Sequence, residues 1–226
     1  ALGAAVVVHA RRKERLDTLV NGITAAGGRA LAVAGDAGNV ADNARLIDEA
    51  MRFSQSVAGG TLDIVVVNAG RGLAGGLLSS DVKQWEELYR TNVLGAADLM
   101  RRAAEKMQPA KGGQIVVVSS VVGSRISPFS GCYGSTKFAI AALAETLRRE
   151  VAGKGLRVST ILPGVVKSEF QEKAGYTPEN FFKGIERFGE LLVPEDVARA
   201  IGFVVSQPPH VNISELMVRP SGQDYP

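Results

Sequence analysis

Short runs of β-branched residues alternate with longer amphipathic stretches along the 226-residue chain. The apolar runs, bounded by glycine and other turn residues, predict strands at Val6–His9, Ala30–Val33, Leu62–Val67, Gln114–Ser119, Leu156–Leu162 and Ile213–Val218. The amphipathic stretches predict helices at Arg12–Gly27, Val40–Ala58, Asp81–Met107, residues 131–152 and Glu195–Ser206. This alternation predicts an α/β fold with a doubly wound parallel sheet and helices on both faces. The unbroken run Leu62–Val67 is typical of a strand covered on both faces.

The helix boundaries carry their own signals. Asp81 is a predicted N-cap, with Gln84 three residues later, and Pro109 is expected to stop the same helix.

No repeat, low-complexity tract or linker divides the chain, so we expect a single domain over residues 1–226. Residues 167–193 form the least regular stretch and contain the aromatic residues Phe170, Tyr176, Phe181, Phe182 and Phe188. A long irregular insertion of this kind predicts a lid or binding loop.

Composition excludes several classes of function. A net charge of +3 is too small to indicate binding to nucleic acid or to a membrane surface. No apolar run approaches the length of a transmembrane helix. The single cysteine, Cys132, excludes an internal disulfide and favours a cytoplasmic protein. Two distant histidines, His9 and His210, make a dedicated metal site improbable, so we expect none.

Tyr133 and Lys137 break the pattern of their helix. They lie four residues apart, on the apolar stripe of Ile140, Ala144, Leu147 and Val151 that should face the core. Polar groups on a buried stripe are typical of a functional site. The alternative is a tyrosine with a hydrated hydroxyl beside a lysine that reaches solvent, and this pair alone gives the two readings about even odds.

Further polar residues follow the predicted strands, where parallel sheets bind ligands. Asp36, Asn68-Ala69-Gly70, Ser119-Ser120 and Pro163-Gly164 each close a strand. Gly70-Arg-Gly-Leu-Ala-Gly75 matches a GxGxxG string, but no helix opens directly behind it, so we interpret it as a loop beside the site.

Asn92 and Ser120 are two more candidates. Asn92 falls on the stripe of Trp85, Tyr89, Ala96, Leu99 and Ala103, where a buried asparagine needs partners, and a purely structural role is the simpler interpretation. Ser120 precedes Tyr133 by 13 residues, without a histidine placed for a hydrolase triad. Ser120 therefore fits a hydrogen-bond donor to a substrate oxygen, or an ordinary turn at the end of a strand.

Together these positions resemble the short-chain dehydrogenase/reductase family. The match includes Asn68-Ala69-Gly70, Asn92, Ser120, Tyr133-x-x-x-Lys137 and Pro163-Gly164-Val-Val-Lys-Ser168, in family order and spacing over essentially the whole chain. The resemblance implies a Rossmann-like oxidoreductase that transfers a hydride between a nicotinamide cofactor and a small alcohol or carbonyl substrate.

The resemblance also implies roles for single residues. Tyr133 would be the catalytic acid/base, Ser120 would orient the carbonyl or hydroxyl, Lys137 would lower the tyrosine pKa and hold the nicotinamide ribose, and Asn92 would fix a proton-relay water. For the cofactor, Asp36 would meet the adenine, while Asn68, Ala69 and Gly70 would lie along the adenosine. Pro163, Gly164, Val166 and Ser168 would hold the carboxamide end, with Ser168 in place of the more common threonine.

The end of the first predicted strand bears on the choice of cofactor. Ala10-Arg11-Arg12 has no acid for a ribose 2′-hydroxyl, whereas a guanidinium matches a 2′-phosphate in charge and geometry. We therefore expect NADP, with Arg11 more important than Arg12. The alternative is that both arginines belong to a solvated helix start, although cations there oppose the helix dipole.

One departure from the family concerns the beginning of the chain. The family's first strand, its Thr-Gly-x-x-x-Gly-x-Gly turn and the helix behind it have no counterpart, and Leu2-Gly3-Ala4-Ala5 matches the stretch that follows that helix. A strand–turn–helix unit of roughly 30 residues is thus expected upstream. A chain without that unit should expose a central sheet edge.

The substrate and the assembly are less defined. The ending Asn212-Ile-Ser-Glu215-Leu-Met-Val-Arg219-Pro220 resembles the NADP-dependent 3-hydroxy-acid and serine dehydrogenase branch. Phe138 and Ala142 form a second apolar strip on the Tyr/Lys helix. Because the family it resembles is usually tetrameric or dimeric, we expect a homo-oligomer, either a tetramer or a dimer. The alternative to an enzyme is a dinucleotide-binding sensor of the same fold that has lost catalysis.

Overall fold

The structure, a computed structural model, describes residues 3–57, 59–107, 112–177, 181 and 183–225. Its strands are β1 Ala5–Ala10, β2 Arg29–Ala34, β3 Ile64–Val67, β4 Gly113–Val118, β5 Leu156–Pro163 and β6 Glu215–Val218. Its helices are α1 Lys13–Ala25, α2 Val40–Val57, α3 Trp85–Tyr89, α4 Ala96–Lys106, α5 Gly131–Glu150, α6 Phe170–Lys173, α7 Lys183–Ile185 and α8 Pro194–Val205. Every predicted strand and four of the five predicted helices are present with ends shifted by one or two residues, whereas the helix predicted at Asp81–Met107 is divided into α3 and α4. Phe182 and Pro109 lie outside the described residues.

All strand pairs are parallel, which confirms the predicted α/β class. The strands form two sheets rather than the one that the pattern predicts: a pair β1-β2 and a four-stranded sheet β3-β4-β5-β6. Within the described residues, β1 and β3 therefore each keep one edge without a strand partner. The common direction still brings the carboxyl ends of β3, β4 and β5 to one side of the larger sheet.

Side chains of β4 alternate between two buried faces. Ile115 and Val117 pack against α4 and α5, together with Ala103 and Ile140, while Val116 packs on the other face against Val204 of α8. Because helices cover both faces, β4 is apolar throughout, as parallel strands in such folds are.

The same prediction is wrong for β3. Val67 is buried, but Ile64 is 43% and Val66 is 40% exposed. Only one face of this strand packs into the core cluster with α4, since no described helix covers the other face. An apolar run shows that a strand can be buried on both faces, whereas the neighbouring elements decide whether it is.

The long helix predicted from Asp81 is interrupted by a π-turn at Arg90–Gly95, between α3 and α4. Asp81 does cap the start, because its side chain accepts from the Lys83 N–H at 3.1 Å. A π-turn holds about one more residue than an α-helical turn. The residues before it that face the core are therefore shifted by one position from those that an uninterrupted helix would place there. Leu88 is therefore fully buried, and Tyr89, which the uninterrupted pattern placed on the stripe, is 38% exposed.

Within the described ranges, no helix combines the length and apolarity that crossing a bilayer would require.

Candidate functional site

A cavity of about 820 Å³ opens at the carboxyl ends of β3, β4 and β5. The segments that follow these strands supply one wall, as expected for ligand sites in parallel sheets. The start of α5 and the stretch between β5 and α8 supply the rest. The site residues predicted from the sequence that line this cavity are Asn68, Gly70, Ser120, Tyr133, Lys137, Pro163, Gly164, Val166 and Ser168.

Helix α5 brings Tyr133 and Lys137 to the cavity on its buried face. Tyr133 is 8% and Lys137 is 6% exposed, and the same stripe continues through Ile140 and Ala144 into the core. The alternative of a hydrated surface pair is therefore wrong. The two groups stack one turn apart, with the Lys137 Nζ 5.8 Å from the centre of the Tyr133 ring.

The Tyr133 hydroxyl lies in a desolvated, partly aromatic environment. Its ring tilts against that of Phe170, with 5.4 Å between ring centres. Burial raises the pKa of Tyr133, while a hydrogen bond with Ser120 acts in the opposite direction. The raised pKa is opposite to the lowering by Lys137 that the sequence argument expected, because burial removes hydration from the charged phenolate.

The Lys137 ammonium is hydrogen-bonded to the end of strand β4. Its Nζ donates to the Val118 carbonyl at 2.9 Å, at the last residue of β4. Burial lowers the pKa of Lys137 to about 8, since the charged ammonium loses hydration. A lysine with this pKa still carries its proton for the most part at neutral pH.

The two adjacent serines at the end of β4 have different environments. Ser119 Oγ donates to the Lys137 carbonyl at 2.9 Å and is 3% exposed. Ser120 Oγ instead donates to the Pro163 carbonyl at 3.5 Å, accepts from the Val122 N–H at 3.4 Å and also interacts with the Tyr133 hydroxyl. Ser119 thus anchors α5 to the sheet, and Ser120 faces the Tyr133 hydroxyl.

Asn92 lies behind the cavity wall, in the π-turn, and is 2% exposed. Its Oδ1 accepts from the Arg71 N–H at 2.8 Å, and its Nδ2 donates to the Arg71 carbonyl at 2.8 Å and to Thr136 Oγ1 at 3.0 Å. The side chain therefore joins the loop after β3 to α5, as the structural interpretation of Asn92 expected.

Gly70 and the following GxGxxG string form an irregular loop. A Cβ atom at Gly70 would lie 3.3 Å from Asn92 Oδ1 and 3.5 Å from Lys137 Nζ, so glycine keeps this corner of the cavity open. No helix opens behind the loop before residue 82, in agreement with the interpretation of Gly70–Gly75 as a loop beside the site. Ala69, between Asn68 and Gly70, is exposed.

Arg11, Arg12 and Asp36 lie apart from the cavity lining, at the carboxyl ends of β1 and β2. Both arginines are exposed. Arg12 pairs with Glu169 at 3.8 Å, whereas no described residue pairs with Arg11. Asp36 accepts from the Gly38 N–H at 2.9 Å and faces Arg90 at 3.8 Å. Arg11 is therefore the more available of the two cations for a phosphate.

The family model described as short chain dehydrogenase matches residues 1–178. The chain belongs to the short-chain dehydrogenase family.

Individual relatives agree with this family assignment. An uncharacterized oxidoreductase of Staphylococcus aureus (strain MW2) is 30% identical over 218 residues, which cover 96% of this chain and 87% of the relative. A serine dehydrogenase solved in complex with NADP+ is 30% identical, with a TM-score of 0.82 over 99% of this chain and 88% of that one. A 3-ketoacyl-(acyl-carrier-protein) reductase from Brucella melitensis solved with NADH is 26% identical, with a TM-score of 0.83 over 97% and 88% of the two chains.

Sequence analysis missed three contributors to this short-chain dehydrogenase site. Thr136 is fully buried and links Asn92 to the Tyr133 carbonyl, which its Oγ1 reaches at 2.7 Å. The backbone of Arg71 is the partner of Asn92, and its side chain reaches Gln84 Oε1 at 2.6 Å. Gln223, near the end of the chain, is 7% exposed and lines the cavity. The contacts of Asn92 with Thr136 and Arg71, and of Gln223 with Val165, join segments far apart in sequence. No local periodicity could therefore reveal these contacts.

Proposed function

We propose that this protein transfers a hydride between NADP(H) and a small alcohol or carbonyl substrate, with Tyr133 as the acid/base. One observation carries the proposal: the side chains of Tyr133 and Ser120 interact at a cavity wall, with Lys137 one helical turn away. Any buried tyrosine hydroxyl needs a polar partner, so it is the buried ammonium and the open space beside the pair that favour a proton-transfer role.

The cavity fits the nicotinamide half of a dinucleotide. Its wall combines backbone and small side chains at Gly70, Gly164 and Ser168 with the polar heads of Tyr133 and Lys137. The glycine at Gly70 leaves space that a side chain would fill, next to the Lys137 ammonium. Lys137 would hold the nicotinamide ribose, and Pro163, Gly164, Val166 and Ser168 would hold the carboxamide.

The adenosine half would lie along the loop after β3 and the carboxyl ends of β1 and β2. Asn68, Ala69 and Gly70 would follow the adenosine, Asp36 would meet the adenine, and Arg11 would bind the 2′-phosphate. Arg12 would contribute less because Glu169 already pairs with it. One similar structure was solved with NADP+ and another with NADH, so similarity alone does not select the cofactor. The proposed preference for NADP rests on Arg11 and on the lack of an acidic residue after β1.

The bound nicotinamide supplies the hydride chemistry, and the protein supplies position and a proton. In reduction, Ser120 would donate a hydrogen bond to the carbonyl oxygen and Tyr133 would give that oxygen its proton. Burial raises the pKa of Tyr133, so its hydroxyl carries the proton that this direction needs. The Lys137 ammonium then stabilises the phenolate that remains. Oxidation of an alcohol runs through the reverse steps.

A screen of ketones, aldehydes and hydroxy acids with NADPH and NADH tests this proposal. We expect turnover with NADPH, and a Tyr133→Phe variant should lose about 100-fold to 10,000-fold in kcat while still binding NADPH. Tyr176→Phe is the matched control, since it removes the hydroxyl of another buried tyrosine in the same cavity wall. Binding of NADPH without turnover, and no effect of Tyr133→Phe, would instead establish a dinucleotide sensor.

The same proposal includes a cytoplasmic homo-oligomer, a tetramer or a dimer. Phe138, 41% exposed, and Ala142, also exposed, lie one turn apart and leave an apolar strip on α5, and Leu94 of the π-turn is 65% exposed. The free, buried thiol of Cys132 supports a reducing compartment. Size-exclusion chromatography with light scattering measures the assembly, and a monomer at micromolar concentration contradicts this part.

A further inference from the structure

The chain returns to the cavity after β6 in a turn and a short extended segment, Pro220–Tyr225, which we term the C-terminal strap. The turn is closed by a hydrogen bond from the Gln223 N–H to the Pro220 carbonyl at 3.0 Å. Gln223 and Tyr225 both line the cavity. A segment far from Tyr133 in sequence thus forms part of its surroundings.

The strap is packed against the wall that follows β5. Gln223 Oε1 accepts from the Val165 N–H at 2.9 Å, and a Cβ atom at Gly164 would lie only 2.3 Å from that oxygen. A Cβ atom at Gly222 would likewise lie 2.6 Å from the Phe188 carbonyl. Two glycines, one on each side, therefore allow a contact too close for any other residue.

The end of the strap reaches the opposite wall. The Tyr225 hydroxyl donates to the Ile126 carbonyl at 2.8 Å, in the segment between β4 and α5. The strap therefore bridges the segments after β4 and after β5, and its Tyr225 side chain stands at the rim between them.

The charges at this rim are balanced by the strap. The described residues that line the cavity include two cations, Lys137 and Arg187, and no carboxylate. Arg187 lies in the irregular stretch before α8, away from Tyr133 and Lys137 in sequence. Its guanidinium donates to Asp224 Oδ1 through Nη2 at 2.9 Å and Nε at 3.2 Å. Asp224 of the strap therefore neutralises the guanidinium that would otherwise attract an anionic substrate.

Aromatic rings make up part of the remaining cavity lining. Phe129, Phe170, Tyr176, Phe181 and Phe188 line the cavity. Rings of this kind bind an apolar or aromatic body and give no compensation for burying a carboxylate.

We propose that the C-terminal strap makes this site selective for uncharged, largely apolar carbonyl and alcohol substrates, because Asp224 neutralises Arg187 and Tyr225 narrows the entrance. The proposal rests on the proposed function and adds the class of substrate to it. It differs from the 3-hydroxy acids suggested by the resemblance of the chain ending, since those substrates carry a carboxylate.

Methyl benzoylformate and benzoylformate provide a matched pair, since both are aromatic 2-keto compounds of similar shape and only the second is charged. With NADPH, the wild-type protein should show the higher kcat/KM for the ester. Asp224→Asn should raise the ratio of kcat/KM for the acid over the ester by about threefold to fivefold, the range of an exposed ion pair. High salt should reduce this gain, because it screens exposed charges.

Two further variants separate charge selection from a general change of structure. Adding Arg187→Gln to Asp224→Asn should abolish the gain, since no unpaired guanidinium remains. Glu186→Gln removes the same charge from an exposed neighbour of Arg187 and should leave the ratio unchanged. Preference of the wild type for the acid, or an Asp224→Asn variant with an unchanged ratio, would overturn the strap proposal while leaving the proposed function intact.

Failure of the proposed function has a different signature: neither compound, nor any other carbonyl, is reduced with either nucleotide. In that case ligand-observed NMR in the presence of NADPH measures binding of the same acid and ester. Tighter binding of the ester that Asp224→Asn reverses supports the strap as a charge filter, and tighter binding of the acid by the wild type overturns it.

Discussion

The Asn92 side chain holds both backbone groups of one residue, Arg71. It accepts from the Arg71 N–H and donates to the Arg71 carbonyl, each at 2.8 Å. This two-point contact fixes the loop directly after Gly70, where the cavity wall approaches Lys137. The π-turn at Arg90–Gly95 is what points Asn92 toward that loop, so the irregularity of the helix and the shape of the site are linked.

Replacing Asn92 should therefore weaken the fold as well as the site. Asn92→Ala leaves the Arg71 N–H and carbonyl without their partner, and we expect a loss of about 2–3 kcal/mol in the free energy of unfolding. Urea unfolding followed by circular dichroism measures it. Asn21→Ala, at an exposed position of α1, is the matched control and should change stability by less than about 0.5 kcal/mol. Equal effects of the two substitutions would contradict a structural role for Asn92.

The neighbouring serines Ser119 and Ser120 should have separable effects. Ser120→Ala removes the hydroxyl that faces Tyr133, so kcat/KM should fall by about 100-fold with little change in stability. Ser119→Ala removes the hydrogen bond to the Lys137 carbonyl and should cost about 1 kcal/mol of stability, with kcat/KM within about tenfold of wild type. Steady-state kinetics and urea unfolding of both variants provide the comparison, and the reverse pattern would refute the assignment of roles.

Burial of Lys137 should make stability depend on pH. Its pKa is lowered to about 8 in the folded protein from the ordinary lysine value of 10.5. Below about pH 8 both states carry the proton and the cost of burying the ammonium is complete. Between pH 8 and 10.5 the unfolded chain binds more protons than the folded one, so the free energy of unfolding should rise with pH, by about 3 kcal/mol in total.

Lys137→Met isolates that contribution, because the other titrating groups are common to both proteins. The difference in unfolding free energy between wild type and Lys137→Met should move in favour of the wild type between pH 8 and pH 10. A difference that stays constant over this range would show that Lys137 titrates at its ordinary pKa.

The cofactor preference should follow Arg11 rather than Arg12. Arg11→Asp should shift the ratio of kcat/KM for NADPH over NADH toward NADH by about 10-fold to 100-fold, through loss of a charge-assisted contact and repulsion of the 2′-phosphate. Arg12→Asp should shift it less, because Glu169 already pairs with Arg12 at 3.8 Å. A wild-type preference for NADH, or an equal response of the two variants, would refute the assignment.

The sequence alone determined the features that follow from local periodicity. Alternating strands and helices predicted the parallel α/β fold, and the stripe from Tyr133 to Ala144 correctly predicted that Tyr133 and Lys137 are buried. Helical spacing decides which residues share a face, and that face needs a core, so this prediction required no knowledge of the partners. The family was recognised from the joint order and spacing of Asn68-Ala69-Gly70, Asn92, Ser120, Tyr133-x-x-x-Lys137 and Pro163-Gly164-Val-Val-Lys-Ser168.

The tertiary structure decided what depends on contacts between distant segments. The exposure of Ile64 and Val66 depends on which elements cover β3, and the exposure of Tyr89 depends on a π-turn that no hydrophobic pattern marks. The raised pKa of Tyr133 reflects desolvation of its hydroxyl by residues that only the folded chain brings around it. Asp224 meets Arg187 across 37 positions, and only the folded chain brings their charges together at the cavity.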